Sequence, residues 1–181
     1  MQSTADLILT FIFSLLALLF WFRFLLQASK ADRFNPISQA VIQASDKVCG
    51  PLRKVLPHIG RIDLASLVFA LLTGMLFVVL RFVIGNPDGF AGVTLFPVLI
   101  SGTVWSLYQL TQFFFFAIII MIVASFIAPG NYNPALGLLQ SMLDPVMGPI
   151  RRLIPPFGPF DLTPMLVLLA IYVVQNLLRS I

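Results

Sequence analysis

Asn35-Pro36-Ile-Ser-Gln-Ala-Val-Ile-Gln-Ala-Ser-Asp46-Lys-Val-Cys-Gly50-Pro51-Leu-Arg53-Lys54-Val-Leu-Pro57-His-Ile-Gly60-Arg-Ile-Asp63-Leu64 returns 98 residues later, without a gap. The second copy begins Asn133-Pro134, passes through Asp144, Gly148-Pro149, Arg151, Arg152, Pro155 and Gly158, and ends Asp161-Leu162. Eleven of the 30 positions are identical, and most of these are not apolar. Shared membrane composition therefore does not explain the match. The chain is built from two repeats.

On either side of each copy the sequence turns apolar. Hydrophobic residues make up 59% of the 181 and charged ones 10%, against roughly 25% charged in soluble domains. Residues 7–22 and 64–80 carry no charge, and 89–150 carry only Asp144. A helix that crosses a bilayer needs about 20 mostly apolar residues. Spans are predicted at about 6–27, 62–84, 103–127 and 162–180. Moving the first two by the repeat offset gives the last two.

The fold class expected is an all-α membrane protein. Four transmembrane helices form two parallel helix–amphipathic loop–helix repeats, at 1–84 and 103–181. Two spans per repeat return the chain to the same side, so the repeats run parallel rather than inverted. A cleaved signal peptide is the other reading of the first span. It lacks a basic leader, carries Asp6 there, and exceeds the usual apolar length.

Lys30, Arg33, Lys47, Arg53, Lys54 and Arg61 lie in or beside the first loop, and Arg151 and Arg152 in the second. Cytoplasmic loops hold the excess of Lys and Arg. Both loops are thus expected in the cytoplasm, with both termini periplasmic, in a bacterial inner membrane crossed several times. Topology alone asks for this charge, and no aromatic platform alternates with it, so nucleic acid is not an expected partner.

Each loop opens on a helix signal, with Asn35 or Asn133 as N-cap and Pro36 or Pro134 in the first turn. Ile37, Ala40, Val41, Ala44 and Val48 share one helical face. Amphipathic helices are predicted over about 36–49 and 134–147, ended by Gly50-Pro51 and Gly148-Pro149. They would lie in the interface, apolar side down, or pack on the bundle or a partner. Pro51–Pro57 and Pro149–Pro155 follow as short basic turns. There Lys54 and Arg152, like their arginine neighbours, suit anionic headgroups or a protein partner. Gly60 and Gly158 suit tight turns. Residues 85–102 form a linker. Pro97 and Gly102 suggest a re-entrant or interfacial piece over 91–101, with one long kinked helix as the competing reading.

Asp63 and Asp161 each stand just before an apolar helix. An N-cap is the plain reading. The functional one is a cation or acid–base site built with Arg53 and Arg151. Asp46 and Asp144 either pair with those arginines or face solvent. Arg23 and Arg81 read as snorkelling side chains. Trp21 and Trp105 read as aromatic belts on opposite membrane sides. With one His, one Cys and no Glu, no metal, haem or other cofactor is expected, nor a catalytic constellation.

The loop pattern Asn-Pro … Asp … Gly-Pro-x-Arg-Arg/Lys-x-Leu/Ile-Pro-x-x-Gly-x-x-Asp-Leu, flanked by apolar helices and used twice, resembles the YggT family. These are small bacterial integral membrane proteins with relatives in plastids. The resemblance implies a part in osmotic and extracytoplasmic stress tolerance, with potassium or other cation uptake or its regulation as the mechanism. It also implies an alternative, a scaffold or assembly factor for cell-division, nucleoid or cytochrome-assembly partners. It implies no enzymatic activity. A homo-oligomer and an unidentified membrane or cytoplasmic protein partner are left open.

Overall fold

The computed structural model describes residues 4–54, 56, 60, 62–86, 89–127, 133–153 and 161–181. Six α-helices follow in order: α1 (Thr4–Ala28), α2 (Pro36–Arg53), α3 (Leu64–Gly85), α4 (Leu95–Ile127), α5 (Pro134–Leu153) and α6 (Thr163–Arg179). Helices α1, α3 and α4 are long and apolar enough to cross a membrane, and α6 is a shorter apolar helix of the same kind. Apolar residues surround these helices, as a lipid solvent requires.

Two expected boundaries move. The linker does not hold a separate re-entrant piece at 91–101. A 3₁₀ turn at Gly89–Gly92 leads into one continuous helix of 33 residues. Pro97 falls in its first turn, where the missing N–H has no partner to lose. The loop helices also run through their Gly-Pro pairs, to Arg53 and Leu153 rather than 49 and 147. Proline crowds the Cβ of the residue before it, and Gly50 and Gly148 have none.

Neighbouring spans are antiparallel. Phe13 meets Phe77 and Phe20 meets Phe69 between α1 and α3. Ser106 Oγ donates to the Ala70 carbonyl at 2.7 Å between α4 and α3. Gln175 donates to Gln112 at 3.0 Å between α6 and α4. Helices α1 and α4 therefore run one way, and α3 and α6 the other. The repeats join through α3 and α4, where Gly74 faces Gly102. A Cβ on Gly74 would collide with the Gly102 carbonyl, and one on Gly102 would sit 2.5 Å from the Met75 Cα.

Several contacts between α1 and α4 depart from the repeat offset. A pure twofold along the helices would set Trp21 opposite residue 119. Instead Trp21 Nε1 donates to the Ser106 carbonyl at 2.9 Å. Phe22 likewise meets Phe113 rather than its own copy, Ile120. Gln109 meets Ser14 and Asn35 meets Pro134, both close to the repeat offset, so the contacts between the repeats do not follow one fixed shift.

These contacts also revise the tryptophans. Trp21 is buried, and Trp105 stacks on Phe77 with ring centroids 4.2 Å apart. They pack the bundle at neighbouring levels and do not mark opposite membrane faces.

The loop helices bury overlapping faces filled with different residues, for Leu143 and Met147 stand where Ser45 and Cys49 stand in the first repeat. In α2 the buried residues are Ser38, Ser45 and Cys49, while Ile37 and Val48 point outward, 40% and 46% exposed. In α5 the buried residues are Leu138, Met142, Leu143 and Met147. The same segment thus turns small polar residues inward in the first repeat and apolar ones in the second.

Candidate functional site

At the loop end of the first repeat, four charges meet. Asp63 caps α3, and its Oδ1 accepts from the Ser66 amide at 3.4 Å. Its Oδ2 accepts from Ser66 Oγ at 2.8 Å and from Arg53 Nη2 at 2.5 Å. Arg53, in the last turn of α2, also pairs with Asp46 about two turns back on the same helical face. Arg23, from α1, donates to Asp46 at 3.1 Å and lies 3.7 Å from Asp63. Two cations and two anions thus tie α1, α2 and α3 together. Asp63 is fully buried, and the Arg23 and Arg53 side chains are only 12% and 16% exposed.

Electrostatics follows from this closure. Burial works against the charged form of Asp63, but the Arg53 guanidinium and the Ser66 hydroxyl outweigh it and hold the carboxyl below its ordinary range. Burial likewise opposes the charge on Arg53, and its bonds to Asp63 and Asp46 more than restore it. Beneath the cluster, Cys49 is fully buried with its Sγ 4.0 Å from Ser66 Oγ. Burial pushes this thiol up, so it stays protonated at neutral pH.

The second repeat reproduces one strand of the network. Arg151 Nε donates to Asp161 at 3.1 Å, and these side chains are 44% and 45% exposed. Asp161 Oδ1 accepts from the Thr163 amide at 2.9 Å. Hydrogen bonds from Thr163, with Arg151 nearby, hold this carboxyl below its ordinary range. Met121 occupies the position of Arg23, and Pro164 that of Ser66. A cavity of about 530 Å³, lined by Met121, Asp144, Met147, Arg151 and Asp161 among others, lies there.

The remaining expected residues have structural places. Asn35 Oδ1 accepts from the Ile37 amide at 2.9 Å, and Asn133 does the same for Ala135. Asn35 Nδ2 also reaches the Pro134 carbonyl at 2.8 Å, joining the two loops. Pro36, Gly50 and Pro51 lie in α2, and Gly148 and Pro149 in α5. Gly60 has φ +60°, which favours glycine. Lys54 and Arg152 are exposed. Pro57, Pro155 and Gly158 lie outside the described residues.

Arg23 is the residue that sequence reasoning assigned to snorkelling, and it is instead a member of the cluster. Arg81 pairs with Asp6 at 3.0 Å, at the opposite end of the bundle. No group of three or more potential metal ligands occurs among the described residues.

The family model for CCB3/YggT matches residues 1–84 and again 100–181. The chain belongs to the CCB3/YggT family. An uncharacterized protein of Pseudomonas aeruginosa is 34% identical over 181 residues, covering 98% of this chain and 89% of that one. The uncharacterized protein YggT of Escherichia coli K12 is 30% identical over 175 residues, covering 96% and 88%. An uncharacterized protein of Vibrio alginolyticus, described by its place in the proC 3' region, is 32% identical over 183 residues, covering 100% and 96%. No solved structure matches. The long apolar helices of this chain are consistent with a multi-pass membrane protein.

Proposed function

We propose that this protein is a non-enzymatic membrane scaffold that supports osmotic and extracytoplasmic stress tolerance, and that it does not itself pass a cation. The observation that carries this reading is the state of Asp63. A carboxylate that binds a moving cation must exchange its partners. Asp63 is fully buried, and both its oxygens are taken by Arg53 and Ser66. It fastens three helices. Around it the bundle is filled by Phe20, Trp21, Ala65 and Ala70. The inner-membrane setting and the periplasmic termini belong to the same proposal, and the basic loops support them.

Cation uptake is the second reading, and one observation favours it. Gln109 donates to Ser14, Gln112 to Tyr108, and Gln175 to Gln112, a run of amides inside the spans. Interhelical amide bonds of this kind also serve as glue in membranes.

Rubidium uptake in cells lacking their main potassium systems separates the two, measured with and without the protein under osmotic upshift. Uptake independent of the protein is expected. Uptake that needs the protein and fails in Asp63→Asn plus Asp161→Asn would overturn the scaffold. In a deletion strain, Lys54→Glu plus Arg152→Glu is expected to lose stress tolerance while membrane levels hold.

A further inference from the structure

Where α1 ends and α2 begins lies a cavity of about 510 Å³. Its polar lining is Arg23, Gln27, Arg33 and Ser38, with Leu26 and Ile42 on its apolar side. Ser38 stands in the first turn of α2 and is fully buried, yet its hydroxyl has no hydrogen-bond partner. Folding a hydroxyl into such a place is costly unless something binds it. Arg23 Nε also makes no hydrogen bond, although Asp63 lies 3.7 Å away. The positive end of the α2 dipole faces the same region.

Among the described residues, charge at this place is not balanced. Asp46 and Asp63 answer Arg23 and Arg53. That leaves Arg33, exposed in the lining of the cavity. Its neighbour Asp32 accepts from the Phe34 amide at 2.9 Å and does not line the cavity. The second repeat serves as an internal control. There Met121, Ser125, Asn131 and Leu136 hold the positions of Arg23, Gln27, Arg33 and Ser38. Building the repeat does not need the two arginines and the hydroxyl.

We propose that this cavity binds a phosphate group, with Arg33 and Arg23 holding its charge and the Ser38 hydroxyl donating to one of its oxygens. Charged oxygens accepting from arginine and from a helix N-terminus are the matching chemistry. The phosphate comes from an anionic phospholipid headgroup or from solution. Leu26 and Ile42 give a headgroup's glycerol end an apolar wall.

The test uses the full chain in a neutral maltoside detergent. Dioctanoyl phosphatidylglycerol, dioctanoylglycerol and inorganic phosphate are titrated separately, with Tm and native mass as readouts. A saturable rise in Tm, with a matching bound mass, is expected for a phosphate-bearing probe and not for dioctanoylglycerol. A rise with phosphatidylglycerol alone assigns the site to lipid, and one with inorganic phosphate assigns it to the free ion. Arg33→Gln and Ser38→Ala are each expected to weaken the apparent Kd by about tenfold. Without ligand, Ser38→Ala is expected to hold or raise Tm, because it removes the unpartnered hydroxyl. Three results would overturn the proposal: no rise with either phosphate probe, an equal rise with dioctanoylglycerol, or an unchanged Kd in both variants. A Kd equally weakened by Arg152→Gln would also overturn it, since that points to a general basic surface.

Discussion

Asp63 and Asp161 occupy equivalent places in sequence and unequal places in energy. Removing one member of a buried ion pair leaves the other charge stranded and costs about 3–5 kcal/mol. An exposed pair is worth about 1 kcal/mol or less. Thermal unfolding is therefore expected to show Asp63→Asn strongly destabilised and Asp161→Asn nearly unchanged. Acid makes the same point. The folded Asp63 carboxyl lies below its ordinary value, so the unfolded chain takes up the proton first as pH falls. Its contribution is full above about pH 5 and drains away as pH drops through about 3.9 toward the folded value. A Tm profile from pH 7 to 3 is expected to fall steeply in the wild type and to be flatter in Asp63→Asn. The cap at Asp63 was legible in sequence, since an Asp before a charge-free run has few other uses. The role of Arg23 was not. It stands 40 residues from Asp63, on another helix, and a lone arginine near a span end reads as snorkelling. Only Met121 at the copied position hinted at a special place.

Helices α2 and α5 show how one pattern yields two elements. The Asn-Pro start and the amphipathic period were readable, because both are local. Which face turns inward was not, because α1 and α3 decide it. Ser66 offers a polar partner that Cys49 faces, while the buried Ser45 hydroxyl bonds back to the Val41 carbonyl. Met121 and Pro164 offer none, so Leu143 and Met147 take those positions. Ile37 and Val48 of α2 are left on the outside. The α3–α4 contact is equally beyond a sequence reading, since neither Gly74 nor Gly102 lies in a motif. Gly74→Leu forces a side chain into the Gly102 backbone, and overpacking of a tight core typically costs about 1–3 kcal/mol or more. Its Tm is expected to fall well below that of Gly50→Ala, where a Cβ meets open space.

At the scale of the molecule, the repeat made the architecture readable, but not the level at which its halves meet. Periodicity fixes what each repeat is. How the halves meet is fixed by the glycine contact and by Trp21 reaching Ser106, which no local pattern encodes. Cysteines placed at Ser14 and Gln109, in a Cys49→Ala background, are expected to cross-link under mild oxidation because those side chains touch. Absence of that cross-link would refute the register. The long helix α4 sets a second feature of the whole molecule. Its 33 residues extend about 50 Å, while the hydrocarbon of a bilayer is about 30 Å thick. Tilt alone absorbs only part of such a mismatch. The surplus turns are sheltered by α5 on one side, through Ile118 against Met142 and Leu143. The protein therefore carries a built-in thickness preference. A thin membrane strains it at α4, and a thick one relieves it.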